Sequence, residues 1–170
     1  MDSHTLAPIT AALIDVQLTA SGAATTVGST GTIHYSIKGK AYTASALSST
    51  ATPTTDWATG LAFTALAKNY GTVFMFGLDA AGTLRVIQGT VVPLDGIVSS
   101  NKFIIAPEFG GLGAAGSGSD ANNFCPIAYI TVANGTTGSG WTFGTSNWNA
   151  TGITVAIQNV IGMPSRPQVA

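Results

Sequence analysis

Charge is what this chain has least of. Asp, Glu, Lys and Arg together make up 8% of its 170 residues, against roughly 25% in ordinary soluble domains. Its six Lys and Arg are spread between Lys38 and Arg166, with no group closer than Lys38 and Lys40. A polyanion therefore finds no basic stripe to neutralise it, and nucleic-acid binding is not expected. The two histidines, His4 and His34, are too few for a zinc centre beside a single cysteine. That cysteine, Cys125, forms no disulfide within the chain, so nothing indicates a disulfide-stapled fold or an oxidising compartment. It reads as a small buried hydrophobe before Pro126. No run approaches the roughly 18 apolar residues of a membrane span. The start, Met1-Asp2-Ser3-His4-Thr5, lacks the basic and apolar regions of a secretion signal, and synthesis and retention in the cytoplasm of the producing cell are expected.

What is present is a neutral, apolar and glycine-rich chain. Hydrophobic residues account for 45%, with three Trp, four Tyr, seven Phe and 21 Gly. That is enough apolar material to bury a core within a single domain spanning 1–170, and too much for a disordered chain. With a formal net charge of −1 and a mean hydropathy of +0.37, solvation rests on Thr, Ser, Asn and Gly. Neutral surfaces of that kind associate, so an oligomer or larger assembly is expected.

The pattern predicts an all-β fold, a sandwich or barrel-like core with extended N- and C-terminal arms and a long Gly-rich loop. Ala11 to Leu18 reads as a first strand, and Thr19 to Gly31 as a soft loop or arm, so that 1–30 is an N-terminal arm plus first strand. Ile33, Tyr35 and Ile37 alternate with His34, Ser36 and Lys38, and Lys38-Gly39-Lys40 turns into Ala41-Tyr42-Thr43. Leu61 to Lys68 fits a strand or one short helix. Val73-Phe74-Met75-Phe76 is apolar on both faces, which places it centrally in a hairpin that turns at Asp79-Ala80-Ala81-Gly82 and returns through Leu84 to Gln88. Residues 107–123 carry five glycines and read as a loop that a partner would order. Ile127 to Ala133 is a strand, Trp141-Thr142-Phe143 a further strand, and Ile153, Val155 and Ile157 alternate in a last one before the extended tail, 161–170.

No catalytic site, cofactor site or metal site is expected, and the chain is not read as an enzyme. Gly111-Leu112-Gly113-Ala114-Ala115-Gly116 matches a dinucleotide fingerprint, but no helix-forming sequence follows it and no acid stands about 20 residues on. Serine or Cys125 nucleophiles lack a recognisable base and elbow. The seven acids mostly stand beside Gly, Pro or small residues, where turn chemistry explains them. Asn134-Gly135-Thr136 and Asn149-Ala150-Thr151 fit the glycosylation pattern and read as chance turns.

The aromatics are the candidate interface. Trp141, Phe143 and Trp148 lie in a Gly, Thr, Ser and Asn-rich stretch, as Trp57 follows a polar loop. They read either as core aromatics at strand ends or as anchors of a subunit contact, and Phe109 and Met163 join them as contact candidates.

The last third, from Cys125-Pro126-Ile127-Ala128-Tyr129 through Trp141-Thr142-Phe143-Gly144-Thr145-Ser146-Asn147-Trp148 to Ile153 and the Met163-Pro164 tail, resembles the ending of small head-associated proteins of tailed bacteriophages. The resemblance is one of pattern and transfers no functional residue. It implies a capsid decoration, or cement, protein: a β-rich homotrimer, sometimes a dimer, assembled in the host cytoplasm. Such a protein sits on the outer surface of the virion capsid, clamps the major capsid protein and stabilises the shell. The expected contacts are arms over Asp2 to Thr30 and Ile161 to Ala170. The alternative is a receptor-binding or fibre-tip adhesion module that offers the Gly-rich loop and Trp141 to Trp148 to host glycans.

Overall fold

A strand that is apolar at every position is stable only where both of its faces are covered. Val73-Phe74-Met75-Phe76 is such a strand. In the computed structural model, which describes residues 10–20, 22–94 and 124–161, it lies in the middle of the largest sheet. The strands in chain order are β1 (Ala11–Ala12), β2 (Thr19–Ala20), β3 (Thr26–Gly28), β4 (Ile33–Ile37), β5 (Lys40–Ala44), β6 (Thr50–Ala51), β7 (Tyr70–Asp79), β8 (Leu84–Gln88), β9 (Val92–Pro93), β10 (Phe124–Asn134) and β11 (Ile153–Asn159). No helix occurs among the described residues. The large sheet runs β11-β10-β7-β8, with β9 pairing the start of β7, and two smaller sheets run β1-β4-β5 and β2-β3-β6. The pairing of these strands is antiparallel throughout. The fold is therefore all-β and sandwich-like, as the sequence predicts.

Turn chemistry sets the registers. Ile37 pairs with Lys40, leaving a two-residue loop in which Lys38 and Gly39 have φ of 50° and 79°. Two successive positive φ values give the turn whose twist matches that of the flanking strands. At the β7–β8 turn Gly82 takes φ 77°, and Asp79 Oδ1 accepts from the N–H of Ala81 and of Thr83, each at 2.9 Å.

The alternation along β7 divides the interior in two. Phe74, Phe76 and Leu78 face the main core with Val86 of β8, Ile130 and Val132 of β10, and Ile33, Tyr35 and Ile37 of β4. Val73 and Met75 face a second cluster with Ile87, Phe124, Tyr129 and Val160, against which Trp57 and Ala58 pack. Each large apolar side chain so buried contributes about 1.5–3 kcal/mol. The β10 register shifts between Pro126 and Ala128. A bulge is where a central strand accommodates proline, which has no N–H for the ladder, and after the shift Ile127 and Ala128 both join the main core.

Four expectations need correction. Thr19 to Gly31 is not an arm: β2, β3 and β6 form a sheet, and Val16, Leu18 and Val27 are buried in the main core. Small residues there permit close pairing, while Val16, Leu18 and Val27 supply buried anchors. The first strand ends at Ala12 because Asp15 Oδ1 accepts from the N–H of Gln17, whose φ is 49°. Leu61 to Lys68 is neither strand nor helix, and is held by the isolated bridges Thr55↔Ala62 and Leu66↔Trp141. Trp141-Thr142-Phe143 continues from that bridge into a turn. Residues 1–9, the Gly-rich loop 107–123 and the tail 162–170 lie outside the described residues.

Candidate functional site

The segment after β10 turns back through glycine, serine and threonine, and those small residues let its aromatics point inward. Trp141, Phe143 and Trp148 are 1%, 0% and 5% exposed. Ring centroids place Phe143 4.4 Å from Phe74, 4.6 Å from Phe63 and 5.6 Å from Trp148. Both indole N–H groups are satisfied internally: Trp141 Nε1 donates to the Asn147 carbonyl at 2.9 Å, and Trp148 Nε1 to that of Thr26 at 3.1 Å. This corrects the interface reading for all three, because a side chain packed on every side with its donor used has nothing left for a partner. The core alternative is the one that holds. Of the other contact candidates, Phe109 and Met163 lie outside the described residues.

Trp57 is different. It is half-buried, and the Arg85 guanidinium carbon lies 4.1 Å from its ring centroid, a cation–π arrangement. Arg85 Nε also donates to Asp79 Oδ2 at 2.8 Å. The neighbouring Asp56 accepts from the N–H groups of Ala58 at 2.7 Å and Thr59 at 3.2 Å through Oδ1, and from Gln88 N–H at 3.0 Å through Oδ2. Trp57 N–H donates to the Val86 carbonyl at 2.8 Å. The Asp56-Trp57 loop is thereby fastened along the outer side of β8. Each of these carboxylate oxygens accepts a hydrogen bond, so the two aspartates fasten the 56–59 loop and the β7–β8 turn. The Trp57 indole N–H is buried without a hydrogen-bond partner among the described residues.

Cys125 is buried, and desolvation pushes its thiol up to about 12, partly offset by a backbone hydrogen bond at Ser36. A thiol so raised carries almost no thiolate at neutral pH. Burial, and secondarily the Asp79 carboxylate, raises Tyr35 above its ordinary value, and its hydroxyl donates to the Asp79 carbonyl at 2.8 Å. His34 is exposed on β4, with the Thr43 hydroxyl 3.3 Å from Nδ1. Among the described residues no three His, Cys, Asp or Glu stand together as a metal site would require, and no helix is long and apolar enough to cross a membrane. The 111–116 glycine motif and His4 lie outside the described residues. Asn134, the first residue of a glycosylation pattern, is fully buried and donates through Nδ2 to the carbonyls of Leu66 at 2.9 Å and Ser139 at 2.6 Å, so no glycan reaches it in this fold.

Charge is sparse on the described part of the molecule. The charged side chains among the described residues are Asp15, Asp56, Asp79, Lys38, Lys40, Lys68 and Arg85. Asp56 and Asp79 are buried, and Arg85 is paired. Lys40 lies over the Tyr42 ring at 5.2 Å. Among the described residues, free charge is thus confined to Asp15, the Lys38–Lys40 hairpin tip and Lys68. β11 alternates exposed Thr154, Ala156 and Gln158 with half-buried Ile153, Val155 and Ile157, and carries no charge at all. The sequence shows that alternation but does not reveal that the strand stands last in the sheet among the described residues. Compared with protein-family models, curated proteins and solved structures, the chain matches none.

Proposed function

We propose that this chain is a non-enzymatic structural protein of a virion, which binds the outer surface of a phage capsid through the major capsid protein and stabilises it. The observation that supports this reading is the scarcity of charged residues, 8% of the chain, in a protein with a well-packed β body. A lone soluble protein relies on mixed surface charge to stay dispersed, whereas a hydroxyl-rich neutral surface suits a protein that spends its working life covered. The pattern resemblance of residues 125–164 to head-associated proteins points the same way. Each contact on a repeating shell needs little affinity, because self-association makes later contacts intramolecular and raises avidity by about 10²- to 10⁴-fold.

The adhesion reading is weakened, since Trp141, Phe143 and Trp148 are in the core and unavailable to stack on sugars. The test is co-sedimentation of the purified protein with undecorated, expanded phage heads. Saturable, stoichiometric pelleting is expected. Failure to pellet with heads, together with binding to host cells, would replace decoration with adhesion.

A further inference from the structure

We propose that β11 is a self-pairing edge, through which two copies of this chain join antiparallel across a twofold axis to make one continuous sheet.

The ladder shows which backbone groups are open. Gly135 N–H donates to the Gly152 carbonyl and Val160 N–H to that of Ile127, both in register with the β10–β11 pairing. Antiparallel pairs alternate between hydrogen-bonded and non-hydrogen-bonded. Thr154, Ala156 and Gln158 therefore direct their N–H and C=O groups toward β10, and Ile153, Val155, Ile157 and Asn159 direct theirs away from it. The Ile153 N–H is used by the Ala150 carbonyl. Those of Val155 and Ile157, with their carbonyls, have no partner among the described residues.

The other side of the large sheet is treated differently. The outward groups of β8 are covered by the Asp56-Trp57 loop, with Trp57 N–H on the Val86 carbonyl and Asp56 Oδ2 on the Gln88 N–H. The edge of the small sheet at β5 begins with Lys40, a charge that opposes strand pairing. Proteins blunt exposed edges with lysine, proline, bulges or a covering loop. The run Ile-Thr-Val-Ala-Ile-Gln-Asn of β11 has no charge, no proline and an unbroken register with β10.

That run is also complementary to itself. Centring an antiparallel pair on Ala156 sets Val155 against Ile157 and Thr154 against Gln158. The Val155 and Ile157 pairs are the hydrogen-bonded ones, which matches the open groups. On one face the half-buried Val155 and Ile157 lie beside their counterparts and extend the core. On the other, Thr154 meets Gln158 on either side of a central Ala156 pair, and no like charges oppose. Both edges are consumed, so the contact closes at a dimer. Edge pairing requires nothing from a capsid and stands or falls separately from the virion reading.

The experiment is sedimentation of the full chain over about 1 µM to about 1 mM, a span suited to so narrow an interface, with two sets of variants. The wild type is expected to pass from monomer to dimer. Ala156→Lys, at an exposed position, places two ammonium groups opposite each other and is expected to weaken association about a hundredfold with an unchanged circular dichroism spectrum. Ala156→Cys is expected to form a disulfide with its own copy on mild oxidation, because the pair spacing fits one. Thr154→Cys is expected to cross-link with Gln158→Cys and not with itself. A monomer throughout, a trimer, or a dimer in which Ala156→Cys fails to cross-link would overturn the proposal, and the cross-linking decides even if Ala156→Lys does not fold.

Discussion

The Trp148 indole N–H donates to the Thr26 carbonyl at 3.1 Å, joining residues 122 positions apart. It ties the return segment after β10 to the middle strand of the β2-β3-β6 sheet, whose strands are too short to persist alone. Trp148→Phe keeps most of the ring and removes the donor, so a loss of about 1–3 kcal/mol is expected. Urea unfolding measures it, and a variant as stable as wild type would show that the sheet is held by other means.

Asp79 holds both its turn and Arg85. Because the Arg85 side chain is one-third exposed, the ion pair itself adds little, and the two turn N–H bonds to Oδ1 dominate. Asp79→Asn, which keeps an oxygen acceptor, is expected to cost less than about 1 kcal/mol, and Asp79→Ala about 1–3 kcal/mol. Equal losses in the two variants would reverse that ranking.

These two contacts mark where sequence reasoning reached and where it stopped. Apolar periodicity identified β7, β8, β10 and β11, and the glycines identified the Lys38-Gly39 and Gly82 turns, because burial and positive φ leave direct traces in residue type. Asp79, read in the turn before Gly82, accepts from that turn's N–H groups, whereas Asp15, read within the first strand, accepts from the Gln17 N–H beyond the strand's end. Local composition misled over Thr19 to Gly31, and over Trp141 to Trp148 it left core and interface readings both open. Small polar residues there read as exposed, whereas Val27 and Trp148 are held by partners far away in the chain. That β11 stands last in the large sheet among the described residues is a property of topology, which local residue pattern does not reveal.

Alkaline pH is expected to weaken the fold. Burial pushes the Cys125 thiol from its ordinary 9.0 to about 12, and raises Tyr35 and Tyr129 above 10.0. Above pH 9 the unfolded chain therefore releases protons that the native state retains, and stability falls with rising pH. The contribution is fully present below pH 9 and is lost progressively toward pH 12, with Cys125 alone supplying a slope of up to about 1.4 kcal/mol per pH unit. Denaturant midpoints at pH 7, 9, 10 and 11 measure it, and a flat profile contradicts it. Native protein at pH 8 is expected to resist thiol reagents that react readily once it is unfolded.

Gly77 lies opposite Pro126 at the β10 bulge, and a Cβ there would overlap the Cys125 carbonyl and the Phe124 ring. Gly77→Ala is expected to destabilise by about 1–3 kcal/mol through forced displacement of β10. Unfolding in urea checks it, and a neutral effect would mean that the bulge accommodates a methyl group.

The central functional claim is stabilisation of a capsid, and calorimetry of undecorated expanded phage heads with and without saturating protein tests it most directly. A ligand that binds only the intact shell raises its transition temperature, and more so as its concentration exceeds Kd. A saturable upward shift of the head transition is the expected result, and an unchanged transition at saturating protein would contradict the decoration account.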